Sequence, residues 1–408
     1  MAKASLAERL KALDKLSDNF NKQTGEIVSG RIGNNEELRN KITTEFIKTP
    51  SLNLNHALGG GFAKGRITIV AGQPDSGKTF LLLETIAKKQ KEDPEFIAGW
   101  LESEGSLSVS DLEQMGIDLD RFYYDTATRE GGAEIALNKV EGVIMQGLVD
   151  MFVINSLKCL TPSEELQKGM EQMQVGLQAR MNAKMMRKIT ASVTENNIAF
   201  IMVQHLTTQI GSISRDPLIV SGGQAIMYGA SVILDLRKRS MNDSDPYKKE
   251  EATKIGVTVR KNHVITNRFP YCKLDYYAVF GEGIDTYLEI TDLAINEGIL
   301  VKAGAFIKVP DDNGNPVILE DGTKLQWQGT ARFKDYLRNN PDFFQSLVDK
   351  LEGKGEITLL SEEEAQEMIE TDKNLCDAEG FAETSDEVED IDLVLEDEKA
   401  KKTKKSKK

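Results

Sequence analysis

The stretch RITIVAGQPDSGKTFLLLETI, residues 66–86, constrains this chain more than any other. It reads as a β-branched run, a glycine-bounded loop and a helix. The loop Gly72–Thr79 fits G-x-x-x-x-G-K-[ST], and each fixed position has a physical reason. Gly72 and Gly77 let the backbone of Gln73, Pro74, Asp75 and Ser76 curl until its N–H groups converge on phosphate oxygens. Lys78 reaches the terminal phosphates, Thr79 offers a hydroxyl to Mg²⁺, and the helix N-terminus adds a favourable dipole. The expected cofactors are therefore ATP and Mg²⁺. A strand before and a helix after are the context this loop needs.

The chain has 408 residues, 40% of them hydrophobic and 28% charged, which predicts a soluble globular protein of two or three domains. No apolar run is long enough to span a bilayer, and the N-terminus lacks the apolar core of a signal peptide. Cys159, Cys272 and Cys376 are too few and too far apart for a disulfide framework, which fits a reducing compartment. The net charge of −14 is concentrated at one end: residues 361–398 carry seventeen Asp and Glu against one Lys. The last ten residues carry seven Lys. The body is thus free to bind a polyanion.

Four segments are expected. Residues 1–44 comprise an amphipathic helix, with Leu6, Leu10, Leu13 and Leu16 on one stripe, and a polar linker bearing Ile27 and Val28. The helix covers its stripe either on its own core or on a neighbouring subunit. Residues 45–290 alternate helical segments with the runs RITIV, FIAGWL, MFVIN, IAFIMV, SVILDL, KIGVTV and KLDYYAVF. Runs apolar throughout predict strands buried on both faces, hence an α/β domain with a mostly parallel central sheet and antiparallel additions late in the chain. Residues 291–360 predict a small α+β domain, with GNPVILEDGTKLQWQG hairpin-like. Residues 361–408 are too charged and too poor in apolar side chains to fold, and are expected to be disordered.

Glu102 and Glu104 in GWLESEG lie two apart at a strand end and project from one face. A carboxylate beside a γ-phosphate orients and polarises the attacking water. Two solvated charges at a strand end fit the spacing equally well. His205 ends the apolar run IAFIMV, as a ligand contact or as a boundary residue.

SLNLNHALGGGFAKGRITIVAGQPDSGKT, LESEG, INSLKCLTPSEE, GLQARMNAKMMRK, SGGQAIMYGASVILDLRKR, VRKNH and FGEGID together make residues 45–350 resemble the RecA-type recombinases, bacterial RecA-like and phage UvsX-like. The resemblance implies a RecA-type P-loop ATPase core, an N-terminal polymerisation helix and helical filaments on single-stranded DNA with ATP between subunits. It also implies pairing of that strand with duplex DNA, and work alongside single-strand-binding or loader proteins. It places Glu104 as the glutamate that activates water. His205 falls where a side chain senses the γ-phosphate and couples it to a DNA loop. Lys261 falls where a lysine reaches ATP across the subunit interface. Two segments fall at the loops that line the filament axis: LTPSEELQKGMEQMQVGLQARM, whose Thr161, Pro162 and Glu164 make a helix start, and HLTTQIGSISRDPLIVSGGQ. There the resemblance assigns Arg180 and Arg187 to DNA, Ile210 as a wedge between base triplets, and Gly222 and Gly223 as phosphate-facing backbone. Arg180 and Arg187 also suit an ordinary solvated helix face.

Several positions depart from the family pattern. Asn155 stands for an aspartate that holds a Mg²⁺-bound water, keeping an acceptor oxygen but losing the charge. Glu102 replaces an aspartate and is expected to restore a carboxylate near Mg²⁺. Asp111 stands where a tyrosine stacks on adenine, and His263 where a second cross-interface lysine is usual. Ser214 replaces an aromatic, and Arg215 adds a charge beside it. The expected function is DNA-stimulated ATP hydrolysis with strand exchange. Two alternatives stay open: a nucleotide-gated filament or mediator with negligible hydrolysis, and a hexameric translocase on the same core. His205 and the altered nucleotide site lean toward a phage protein in a bacterial host cytoplasm. The acidic tail is expected to restrain duplex binding.

Overall fold

In the computed structural model the apolar run 66–72 is a strand buried along all but its first residue, and the chain builds outward from it on both sides. The structure describes residues 4–127, 132–166, 176–208, 218–242, 245–264, 272–311, 314–318, 324–351 and 358–359. The tail beyond 360, Ile210, Ser214 and Arg215 lie outside these residues.

Helix α1 (Leu6–Thr24) starts at a reciprocal cap, Ser5 with Glu8, and stops at Gly25 in the left-handed region. It buries none of its residues; Leu6, Leu13, Leu16 and Phe20 face solvent. Of the two covers expected for its stripe, the core of this chain is not the one used. A paired bond from Arg31 to Asp14, 2.7 Å at both ends, ties the linker back along the helix.

The core runs α2 (Leu52–Leu58), β1 (Arg66–Gly72), α3 (Lys78–Glu92), β2 (Ala98–Glu102), β3 (Phe122–Thr126), α4 (Gly132–Met145) and β4 (Met151–Asn155). It continues with α5 (Leu177–Glu195), β5 (Ala199–Thr208), β6 (Leu218–Val220), α6 (Gln224–Gly229), β7 (Val232–Lys238), β8 (Ala252–Asn262), β9 (Cys272–Val279) and β10 (Gly283–Ile284). The sheet order is β3–β2–β4–β5–β1–β7–β8–β9–β10. From β3 to β7 every neighbouring pair is parallel; β8, β9 and β10 add antiparallel. One face of the sheet packs Trp100, Val153, Val203 and Leu234 under Leu81, Leu82 and Ile86 of α3. The other packs Phe152, Ile154, Met202 and Ile233 under α4 and α5, through Leu137, Met185 and Ile189. Burial on both faces is why these strands read as continuous apolar runs.

A smaller core gathers Ile290 and Leu293 of α7 (Thr286–Asn296), Phe333 and Leu337 of α8 (Gly329–Asn339), and Leu347 and Leu351 of α9 (Pro341–Leu351). Residue 290 itself lies within α7. The hairpin-like stretch closes through the bridge Ile318–Lys324.

Glu289 of α7 joins this unit to the main core. Its carboxylate, 6% exposed, accepts from Ser51 Oγ at 2.7 Å and Leu52 N at 2.9 Å, at the start of α2. Burial pushes the Glu289 carboxyl up from 4.5 to about 7, against the pull of those two donors. A folded-state value above the unfolded one means that the native protein holds the extra proton between those pH values. Stability should fall as pH rises through that window, by on the order of 3 kcal/mol in all. Glu289→Gln should flatten this slope in urea unfolding at pH 5 and pH 8. A slope equal to that of the parent protein would remove Glu289 as its source.

Candidate active site

Parallel strands bring their C-terminal ends to one edge, where open α/β sheets bind ligands. The register sets the residues side by side there: Gly72 beside His205, and Glu102 beside Asn155. Gly72 leads into the P-loop. A Cβ at Gly72 would lie 2.3 Å from Ser76 Oγ and 2.5 Å from Leu236 O, so the turn admits only glycine. Gly77, at φ 83, caps α3 in the left-handed region. Lys78 Nζ lies 3.2 Å from Gly72 O and 2.8 Å from Gln73 O. Burial lowers the Lys78 pKa, and the charges of Glu104 and Asp75 pull against that. Gln73, Pro74 and Asp75 are exposed at the tip, and Thr79 lies in the first turn of α3.

Glu104 follows β2 and turns toward β5. Its Oε1 lies 2.7 Å from His205 Nε2, with the Glu104 side chain 25% exposed and that of His205 19%. Burial would raise the Glu104 pKa. The Ser156 hydroxyl, His205 and Lys78 outweigh burial and hold the carboxyl below its ordinary value. The sequence places His205 at the end of an apolar run; in the structure β5 continues to Thr208. His205 is the last residue of β5 paired with β1. The next three, Leu206 to Thr208, pair with β6 instead. Ser221 Oγ, just past β6, donates to His205 O at 3.1 Å. One strand thus carries the Glu104 partner on into the segment that holds Ile210 and Arg215.

Glu102 points inward, at 2% exposure. Its Oε2 accepts from Trp100 Nε1 at 2.9 Å and from Asn155 Nδ2 at 3.0 Å, and its Oε1 accepts from the Glu104 backbone N–H at 2.8 Å. Asn155 is fully buried, and its Oδ1 has no partner. Ser103 clamps the turn after β4: its hydroxyl reaches Ser156 O at 2.7 Å and accepts from Ser156 N at 3.0 Å.

The remaining expected residues are spread more widely. Arg180 and Arg187 are exposed on α5. Gly222 and Gly223 take φ of 115 and 91 before the short α6. A Cβ on Gly222 would come within 2.7 Å of Gln204 Nε2, a side-chain end, so it is the positive φ that favours glycine there. Lys261 Nζ donates to Met227 O at 2.9 Å and Tyr228 O at 3.0 Å, the carbonyl end of α6, and burial lowers its pKa. His263 is exposed, its backbone N–H on Ser231 O. Asp111 accepts from the Ser108 hydroxyl at 2.6 Å within the cap of its own helix.

Trp100, Ser103 and Ser156 join the site without having stood out in the sequence. The i, i+2 spacing of Trp100 and Glu102 was the only local signal for the tryptophan. The residues fit Mg²⁺-nucleotide: a glycine-walled loop, a hydroxyl at Thr79, and two buried orphan oxygens, Asn155 Oδ1 and Ser76 Oγ. Among the described residues no cluster of three His, Cys, Asp or Glu could hold a metal. Among the described residues no helix is long and apolar enough to cross a membrane.

Residues 11–285 match the family model described as RecA N-terminal domain. "Protein RecA" of Azospirillum lipoferum is 31% identical over 350 residues, 85% of this chain and 90% of that one. "Protein RecA" of Staphylococcus carnosus is 30% identical over 379 residues, 91% and 99% of the two chains. That of Bdellovibrio bacteriovorus is 29% identical over 404 residues, 98% and 97%. The crystal structure of the RadB recombinase overlays with a TM-score of 0.44 at 19% identity, covering 59% of this chain and 98% of that one.

Proposed function

Because the chain belongs to the RecA family, we propose that it is an ATP-dependent strand-exchange protein that forms helical filaments on single-stranded DNA and hydrolyses ATP when DNA is bound. The observation that carries this reading is the 2.7 Å contact between Glu104 and His205. It joins the carboxylate whose charge acts on Lys78 of the P-loop to the strand that leads into the second DNA segment, so DNA binding and the attacking water are coupled through one strand. ATP binds on the backbone of Gly72–Gly77, with Lys78 on its terminal phosphates and Thr79 toward Mg²⁺. The bound ion supplies charge compensation for the phosphates. Glu104 accepts the proton of the attacking water, and Asn155 offers Oδ1.

The exposed stripe of α1 supports head-to-tail assembly, and a heterologous contact whose rotation does not close propagates into a filament. Lys261 and His263 then face the nucleotide of the next subunit. Arg180, Arg187, Arg215, Ile210, Gly222 and Gly223 line the DNA path. The protein acts in the cytoplasm of a bacterial cell, with duplex DNA and loader proteins as further partners.

The test is ATP hydrolysis with and without single-stranded DNA, beside electron microscopy with a non-hydrolysable ATP analogue. Strong stimulation, absent in Lys78→Ala, together with filaments supports the proposal. Filaments with negligible turnover favour the nucleotide-gated alternative, and closed rings favour the translocase. His205→Ala should keep basal turnover within a few fold and lose most of the stimulation by DNA. Equal stimulation in the variant would remove His205 from the coupling.

A further inference from the structure

Asn155 poses a problem that the family reading leaves unsolved. A neutral amide has one acceptor end and one donor end, and only the acceptor end suits a cation or its bound water. Turned the wrong way, Asn155 would present an NH₂ group to Mg²⁺.

The structure contains a device that fixes the turn. Three N–H donors converge on the two oxygens of buried Glu102, so both oxygens act as acceptors. The Asn155 end lying 3.0 Å from Oε2 must therefore be Nδ2. Glu102 and Asn155 are register partners on adjacent parallel strands. They share the sheet face of Trp100 and Val153, which α3 covers with the helix that starts at Lys78. With Nδ2 engaged by Glu102 of β2, Oδ1 is the end of the amide left over, and the strands beyond β4 in the sheet are β5 and then β1, which leads into the P-loop. Oδ1 is fully buried and has no partner.

We propose that Glu102 is a positioning residue: it locks the Asn155 amide with Oδ1 toward the Mg²⁺ side of the nucleotide, so that a neutral side chain serves where a carboxylate would need no orienting. The charge stays one strand away, held by Trp100 and the Glu104 backbone. The same carboxylate thereby fixes the start of the Glu104 turn. Groups behind a ligand typically change metal affinity by about 10–100-fold when altered.

This inference rests on the functional proposal only in that the P-loop takes Mg²⁺-nucleotide, so its test needs neither DNA nor turnover. Binding of a fluorescent non-hydrolysable ATP analogue to the full chain is titrated with Mg²⁺ and repeated in EDTA. Glu102→Gln has one acceptor end where three donors must be met, so the Asn155 amide loses its fixed orientation. The Mg²⁺ midpoint should rise about tenfold or more, while affinity in EDTA stays within twofold. Adding Asn155→Asp to Glu102→Gln should restore the midpoint to within about threefold, because a carboxylate presents oxygen either way round and can accept from the introduced amide. An unchanged midpoint in Glu102→Gln, an equal loss in EDTA, or no rescue in the double variant overturns the proposal. So does a parent protein whose binding ignores Mg²⁺. Should Glu102→Gln not fold, Asn155→Ala must show the same rise with EDTA affinity kept, and an unchanged midpoint there overturns the proposal. Failure of the recombinase proposal, seen as absent strand exchange, leaves every one of these midpoints standing.

Discussion

Glu104→Gln should lower DNA-stimulated ATP turnover by about 10²–10⁴-fold while leaving nucleotide affinity within a few fold. The substitution keeps the shape and one acceptor oxygen but removes the ability to take a proton from water. The surroundings of Glu104 favour the charged form. Burial works against ionisation, yet the Ser156 hydroxyl, His205 and Lys78 together hold the carboxyl below its ordinary value. Glu104 is therefore ionised throughout the neutral range, and lowering pH from 8 to 6 should not titrate it. Any acid limb in that interval belongs to another group. Phosphate release over single-stranded DNA, paired with analogue binding, checks both halves. A loss of only a few fold would show that water is activated elsewhere. A large loss of affinity would make Glu104 a binding residue.

Asp235→Ala should destabilise the fold by about 3–5 kcal/mol, the cost of removing one member of a buried ion pair. Asp235 is fully buried on β7, with Arg260 Nη2 and Arg237 Nη2 each at 2.7 Å from Oδ2. The Arg260 side chain is itself only 2% exposed. Burial raises the Asp235 pKa, but Arg260 and then Arg237 outweigh it and hold the carboxyl below 3.8. Its contribution is thus present at neutral pH and lost only as pH falls through that depressed value. Thr258 is the register partner of Asp235, and the register shift in β8 between Val259 and Lys261 leaves Arg260 out of the strand pairing, from where its side chain reaches Asp235. Asp235 is also the register partner of Ala71, next to the P-loop glycine. Urea unfolding at pH 7 measures the loss. A shift below 1 kcal/mol would mean that the two arginines are adequately satisfied without Asp235.

The P-loop was legible because its constraints are local. The left-handed φ of Gly77 and the Ser76 hydroxyl that crowds Gly72 act within a few residues of the motif, so composition and spacing reveal them. The buried strands were legible for a similar reason: a strand covered on both faces has no polar side to show. The stripe on α1 was equally plain, although periodicity alone said nothing about what covers it.

The chemistry of the site was less legible. Glu102 and Asn155 are 53 residues apart, and their 3.0 Å bond exists only because β2 and β4 are neighbours in that register. No spacing rule predicts that Glu102 faces three protein donors. Glu104 and His205 meet across 101 residues for the same reason. The extension of β5 past His205 depends on β6, which returns from a separate segment to pair with it.

The sequence by itself determined the phosphate loop, the α/β class and the family, because sterics and hydrophobic periodicity act over short stretches of chain. Only the tertiary structure decided which end of the Asn155 amide meets Glu102, which strand carries the partner of Glu104, and which buried charges are paired. Those outcomes depend on strand order and register, which are set by long-range packing rather than by any local run of residues.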